Sequence, residues 1–334
     1  MGEMMKKVTI ADIAQQAGCS KTTISRYLNG KYDSMSEQTK QTIATVIAAL
    51  GYRPNQMARN LRLQKSRLIG VLVSDIKSPF SSILYSGIAD ECERHGYTAI
   101  LASTGDSPEK ERMYMDSMIA KSVEGLIVNA TGENVDYLAQ VNRTLLPVVL
   151  ADRPLFDVHC DIVTSDTFKG MQDMLAYVYA QGYEHIIFVT MTVGTNQTRR
   201  ILCDTFCTLQ ADYQQSAVII EFTQSQHLEA EFLAMLATHQ QQKIAFFAAN
   251  GLVLQALCAL MKKHHLNAPE DIGLCGVDNW AWMELAGAGM TVLEQPTYEM
   301  GKASAQCLIQ RIQGKADAPV EQYLSCQLIK RGSI

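Results

Sequence analysis

The chain lacks any apolar run approaching the ~20 residues that a membrane span needs, so no membrane segment is expected. Nine cysteines occur without a single Cys-x-x-Cys pair. Cys203 and Cys207 stand at a plain helical spacing, and the odd count is spread through apolar stretches, which predicts reduced, buried thiols in a cytoplasmic protein. A metal site finds no support in these spacings, and none is expected. Catalytic signatures are missing too: no GxGxxG after a strand, no GxxxxGK[ST], no HExxH and no GxSxG. His264 and His265 stand at a polar helix end, where solvation explains them. Residues 1–7 are polar and lead into a capped helix, unlike a secretory signal. With 47% hydrophobic and 19% charged residues over 334 positions, the composition is that of a globular protein with room for sizeable cores.

Charge is divided unevenly. Residues 1–67 carry 11 Lys+Arg against 4 Asp+Glu, a balance of +7, whereas the remainder stands at −12, giving −5 overall. A basic head on an acidic body suits a polyanionic partner for the head alone. A solvated basic tail would give the same balance, but the head carries an ordered helical pattern. Thr9, with Asp12 three residues on, forms a box-like cap for a helix whose stripe is Ile10, Ile13, Ala14 and Ala17. Gly18 can end that helix in a left-handed turn. Ser20 caps a second helix over 20–28 with Ile24 and Leu28 inward, and Ser36 caps a third with Ile43, Val46, Ile47 and Leu50 buried and Gly51 as its stop.

Two short helices joined by a tight turn form a helix-turn-helix, whose second helix enters the major groove. With Ile24 and Leu28 inward, Lys21, Thr22, Ser25, Arg26 and Asn29 fall on the outer face. Lys21 and Arg26 can donate to guanine O6 and N7, and Thr22 can meet a thymine methyl or a base edge. Ser20, Thr23 and Ser25 carry short hydroxyls suited to phosphate oxygens. Taken singly, each of these residues is equally well explained as a solvated helix face. After Tyr52-Arg53-Pro54 breaks the pattern, Asn55 can cap a segment over 56–63 that is too short to be a stable helix alone, and the stretch reads as a hinge.

From Leu68 onward, strand-like runs alternate with amphipathic helices. The strand candidates are 68–74, 98–103, 126–129 and 148–151, then 185–190, 218–222, 244–249 and 272–275. Ser78 caps the first helix, Pro79 opens it, and Phe80, Ile83, Leu84 and Ile88 are expected to face the sheet. This alternation predicts parallel sheets covered on both faces, and its repetition over 68–163 and 166–293 predicts two similar lobes.

The runs Val8-Thr9-Ile10-Ala11-Asp12-Ile13-Ala14, Ala17-Gly18-Cys19-Ser20-Lys21-Thr22-Thr23-Ile24-Ser25-Arg26 and Tyr52-Arg53-Pro54-Asn55 resemble the signature of the lactose/galactose repressor (LacI/GalR) family of bacterial transcription regulators. The resemblance extends over nearly the whole chain. It implies an all-α helix-turn-helix head (1–51), a hinge (52–67) and a periplasmic-binding-protein-like α/β core of two parallel-sheet lobes (68–334). Lobe one would span about 68–165 and 295–320, and lobe two about 166–293 and 321–334, with crossovers near Ser165, Glu294 and Val320. It implies operator DNA, a small sugar or sugar-acid effector and a second copy of the chain as partners, with no cofactor and no catalysis. Family base readers fall on Lys21, Thr22 and Arg26, and phosphate contacts on Ser20, Thr23, Ser25 and Asn29. The hinge residues Ala58, Arg59 and Leu61 fall where the family meets the minor groove. Effector residues fall on Ser78, Phe80, Asp152, Arg153, Asn250, Asp278 and Gln295, with Arg199 or Arg200 standing near a family arginine. Phe80 or Trp280 could give a sugar a flat apolar platform, though plain core packing explains Phe80, Trp280 and Trp282 as well, and Asp278 and Asn250 could be loop caps.

Three departures stand out. The loop 29–36 is a residue longer than is usual in the family. Gly251 follows Asn250 where the family carries an acid, and Leu202 occupies the position of the family arginine. Losing a carboxylate while keeping Arg153 and Arg199 or Arg200 favours an acidic effector. The segment 25–32 also resembles the ketodeoxygluconate-regulator branch. A periplasmic sugar carrier and a nucleotide-dependent sugar enzyme are the competing readings, opposed by the basic head and by the missing motifs. No heptad repeat follows residues 327–334, so a dimer is expected rather than a tetramer.

Overall fold

A computed structural model of the protein describes residues 8–33, 35–52, 65–316 and 318–334, in two compact units, Met1–Ser66 and Arg67–Ile334. Among the described residues, the first unit holds three helices, α1 (Ile10–Gln16), α2 (Lys21–Leu28) and α3 (Glu37–Leu50). Thr9 and Asp12 close a reciprocal capping box on α1, and Ser20 and Ser36 accept from Thr23 N and Thr39 N to cap α2 and α3. Gly18 and Gly51 take φ of 63° and 57°, the left-handed region that a side chain would disfavour. Among the described residues, the buried centre of this unit is small: Ile13, Ala14, Ile24 and Ile43, with Leu28, Val46, Ile47 and Leu50 partly buried around them.

The second unit alternates strands and helices. Lobe one begins β1 (Leu68–Val73), α4 (Pro79–Arg94), β2 (Thr98–Ser103), α5 (Pro108–Ala120), β3 (Gly125–Val128), α6 (Val135–Thr144), β4 (Val148–Ala151) and β5 (Asp161–Asp166). Lobe two follows with α7 (Thr167–Ala180), β6 (His185–Met191), α8 (Gln197–Asp212), β7 (Val218–Phe222) and α9 (Ser225–Thr238). It continues with β8 (Ile244–Ala248), α10 (Gly251–Lys263), β9 (Gly273–Val277), α11 (Ala281–Leu285) and β10 (Thr291–Glu294). The chain then returns through α12 (Thr297–Ile312), β11 (Glu321–Ser325) and β12 (Gln327–Ile329). The sheet orders are β11-β5-β4-β3-β1-β2 and β12-β10-β9-β8-β6-β7, parallel throughout except for β12 against β10. Every residue of β3, β4, β8 and β9 is buried, as expected of strands covered by helices on both faces.

The lobes exchange chain three times. The first two crossovers follow β5 and β10, at the positions expected near Ser165 and Glu294. The third lies not at Val320 but at Cys326, because Glu321–Ser325 pairs parallel with β5 and stays in the first sheet. Its sequence, Glu-Gln-Tyr-Leu-Ser, is polar and largely exposed, as an edge strand allows, and carries no apolar pattern to announce it. Ile83 also departs from expectation. It is 36% exposed, whereas Leu84 and Ile88 are buried, because the inward stripe of α4 runs through Ser81, Leu84, Gly87, Ile88 and Glu91. His264 is paired rather than simply solvated, with Nε2 2.8 Å from Glu229 Oε1.

Candidate functional site

The outer face of α2 is a short polar surface. Lys21, Thr22 and Arg26 are exposed on it, while Ile24, in their midst, is fully buried against α1 and α3. Burial of Ile24 fixes the rotation of the helix, and thereby which residues face outward. Ser20, Thr23, Ser25 and Asn29 are engaged locally: Ser20 Oγ lies 2.9 Å from Thr23 Oγ1, and Asn29 Nδ2 donates to Ser25 O at 2.6 Å. These bonds set the hydroxyls at the rim of the face and leave lone pairs or donors for a further partner. Tyr32, in the loop after α2, meets Tyr27 of that helix edge to face with centroids 5.7 Å apart, and Lys40 from α3 lies over the Tyr32 ring. Ala58, Arg59 and Leu61 lie outside the described residues.

In the core, both sheets place the same feature toward the lobe interface. Their strand orders reverse beside β1 and β6, and the carboxyl ends of strands at such a reversal are where open α/β sheets receive ligands. A cleft of about 180 Å³ opens there. Lobe one lines it with Ser78 and Phe80 after β1, Asp106 after β2, Asn129 after β3, and Asp152 and Arg153 after β4. Lobe two contributes Arg199, Asn250, Asp278 and Trp280, with Gln295 at the second crossover. The lobes touch across it: Thr198 Oγ1 donates to Asp152 O at 3.2 Å, and Thr195 Oγ1 lies 3.3 Å from Glu133 Oε1. Phe80 packs against the cores of both lobes.

The polar groups form a connected set. Asp278, 4% exposed, accepts from Gly251 N and from Gln295 Nε2, both at 2.9 Å, and Gln295 Oε1 accepts from Ser165 Oγ at 2.7 Å. Asn250 spends its Oδ1 on the amides of Leu252 and Val253, capping α10. Asp152 Oδ2 accepts from Asn129 Nδ2 at 3.0 Å. Burial pushes the Asp152 carboxyl up to about 6, against the lowering pull of Arg153 and Asn129. Burial likewise raises Asp278, opposed by its bonds from Gly251 and Gln295. Asp106, Asp152 and Asp278 all take positive φ, at 56°, 69° and 79°. That region is sparsely used by side-chain-bearing residues, and Asp is among those best suited to it.

Two guanidiniums approach one another from opposite lobes. Arg153 Nη1 donates to Asp106 Oδ1 at 2.6 Å and to Ala130 O at 3.1 Å. Arg199 Nη1 donates to Thr192 O at 2.8 Å, and its Nη2 lies 3.8 Å from Asp106 Oδ2. Burial lowers the Arg199 pKa, and the Arg153 charge lowers it further.

Arg200 turns away from the cleft: it is exposed, and its Nη2 donates to Gly194 O. Adjacent helical residues point about 100° apart, so only one of the pair can face inward, and it is Arg199. Leu202 also lines the cleft. Trp280 is both wall and core. It is 6% exposed and lines the cleft, and its ring fills the space over Gly251, where a Cβ would meet Cη2 at 2.6 Å. Any side chain at position 251, an acid included, would collide with that ring. Sequence reasoning passed over Asp106, Asn129 and Thr198. The first two follow strand ends, and that rule alone would have found them.

The chain matches "Bacterial regulatory proteins, lacI family" over residues 9–55 and "Periplasmic binding protein-like domain" over residues 175–334. It is 36% identical over 330 residues to the HTH-type transcriptional regulator KdgR of Bacillus subtilis, covering 98% of this chain and 97% of that one. It is 33% identical to PtxS of Pseudomonas plecoglossicida, another HTH-type transcriptional regulator, covering 100% and 97%. Among solved structures, the lac repressor dimer bound to operator and the anti-inducer ONPF superposes with a TM-score of 0.85 at 21% identity, covering 98% of this chain and 99% of that one. With a capped helix-turn-helix, a two-lobed parallel-sheet core and full-length relatives of one kind, this chain belongs to the lacI family of bacterial regulatory proteins.

Proposed function

We propose that the protein is a dimeric repressor that binds operator DNA through its head and responds to a small sugar acid in the cleft between its core lobes. The proposed organisation is a head over 1–51, a hinge over 52–67 and a core over 68–334. Lys21, Thr22 and Arg26 read base edges, and Ser20, Thr23, Ser25 and Asn29 hold phosphates. Ala58, Arg59 and Leu61 meet the minor groove. The exposed polar face of α2 and the basic balance of residues 1–67 support this reading. The relatives support it too: KdgR and PtxS are named transcriptional regulators, and the lac repressor is a dimer on its operator. A regulator of this kind catalyses nothing and works in the cytoplasm, where its DNA is.

The observation that carries the effector class is the pair Arg153 and Arg199, brought from opposite lobes into one cleft with Asp278. A guanidinium pair binds a carboxylate through charge-assisted bonds, while Asp278, Asn250 and Gln295 supply acceptors and donors for hydroxyls. Gly251 removes a negative charge that would oppose an anion there. The test is a thermal-shift screen of neutral sugars, sugar acids and sugar phosphates on the full chain. A ligand of the native state raises the melting temperature by mass action. Sugar acids are expected to do so. Stabilisation by neutral hexoses alone would overturn the effector class.

A further inference from the structure

Asp106 stands on the turn between β2 and α5, held by a left-handed backbone that aims its carboxylate into the cleft. It lies within ion-pair range of both arginines, at 2.6 Å from Arg153 and 3.8 Å from Arg199. Arg153 belongs to lobe one and Arg199 to lobe two, so this single carboxylate ties the lobes together at the mouth of the site. The side chains differ in exposure: 11% for Arg153 and 20% for Arg199, but 43% for Asp106. Each arginine also holds a main-chain carbonyl, Ala130 O or Thr192 O, which keeps the cations in place when the carboxylate leaves. Two largely buried guanidiniums sharing one solvent-facing carboxylate reproduce the contact that a bound organic acid would make.

We propose that Asp106 is a tethered competitor: its carboxylate occupies the arginine pair when the cleft is empty and is displaced by the carboxylate of the effector. This rests on the sugar-acid reading above and deepens it. Displacement sets a threshold that an acid overcomes by replacing one charge-assisted contact with another. A neutral sugar has no group to make that exchange. Displacement also exchanges a fixed bridge between the lobes for a bridge made by ligand, which couples occupancy to the way the lobes are held.

Calorimetric titration of the full chain with D-gluconate, D-galacturonate and 2-keto-3-deoxy-D-gluconate, alongside D-glucose and D-galactose, tests the proposal. Asp106→Asn keeps the size of the side chain and removes its charge. It is expected to tighten binding of the acids that the wild type accepts by about fivefold, the upper scale of one solvent-exposed ion pair, and to leave the neutral sugars unchanged. Asp106→Glu, which retains the carboxylate, is expected to stay within about twofold of wild type. Unchanged or weaker acid binding in Asp106→Asn, with the wild type binding normally, overturns the competitor role and leaves the sugar-acid reading standing. Equal tightening for neutral sugars overturns the competitor role as well. Failure of every acid to bind either the wild type or Asp106→Asn overturns the sugar-acid reading and the competitor with it.

Discussion

Substituting Gly251 by alanine isolates the packing of Trp280 over the start of α10. A Cβ at this position would lie 2.6 Å from Trp280 Cη2 and 2.7 Å from Cζ2 and Cζ3, about 0.8 Å inside ordinary contact. The obstacle is the rigid far edge of an indole 6% exposed, packed in the core of lobe two, so it cannot swing aside as a lysine tip would. Overpacking of this kind costs about 1–3 kcal/mol. The better helix propensity of alanine, ~1 kcal/mol in a helix interior and less at the first turn, offsets part of that. A net loss of about 1–2 kcal/mol corresponds to a fall of roughly 2–6 °C in melting temperature for a core of this size. Because Trp280 also lines the cleft, effector affinity is expected to fall with it. The decisive measurement is a double-mutant cycle by thermal unfolding with Trp280→Phe, whose shorter ring lacks the three offending atoms. The Gly251→Ala penalty is expected to shrink to below about 0.5 kcal/mol in that background, since only contacting residues show such coupling. An equal penalty in both backgrounds would refute the clash and, with it, the link between Gly251 and Trp280.

Arg26→Ala is expected to cost about 1–3 kcal/mol at one base pair and to flatten preference there, whereas Ser25→Ala weakens all sequences evenly. Titrations over single-base operator variants distinguish the two patterns, and an unaltered preference profile in Arg26→Ala removes it from the base readers. Asp278→Asn is expected to lose effector binding by at least tenfold while operator affinity holds, because a neutral amide replaces charge-assisted bonds poorly. Wild-type affinity for the effector in calorimetry would end that assignment. Asp152, raised by burial from 3.8 to about 6, contributes stability that is fully present below 3.8 and lost as pH rises through 6. The melting temperature of Asp152→Asn relative to wild type is therefore expected to climb between about pH 4 and 6, and a pH-independent difference contradicts the raised value.

Much of the head was legible from local rules. The caps Thr9, Ser20 and Ser36 and the stops Gly18 and Gly51 involve partners within a few residues, so spacing alone predicts them. The inner strands were legible because burial on both faces demands continuous apolar runs. Strands β5, β10, β11 and β12 escaped notice because each has polar residues at one or both of its ends and stands where the chain changes lobe. Their strand character comes from a partner far away in sequence, as Glu321–Ser325 finds beside Asp161–Asp166.

What the sequence by itself determined is the family, the order of the helices and inner strands, the outward face of α2 and the strand ends from which the cleft is drawn. These depend on periodicity and on contacts within one or two turns of chain. Which of two neighbouring arginines faces the cleft, the meeting of Arg153 and Arg199 over Asp106, and the filling of the space above Gly251 by Trp280 were decided only by tertiary structure. Each brings together residues about 30 to 90 positions apart, through the rotation of a helix or the closure of two lobes. Charge pairing and steric exclusion act through space over a few ångströms, and no local pattern in a single sequence records which distant side chains come within that range.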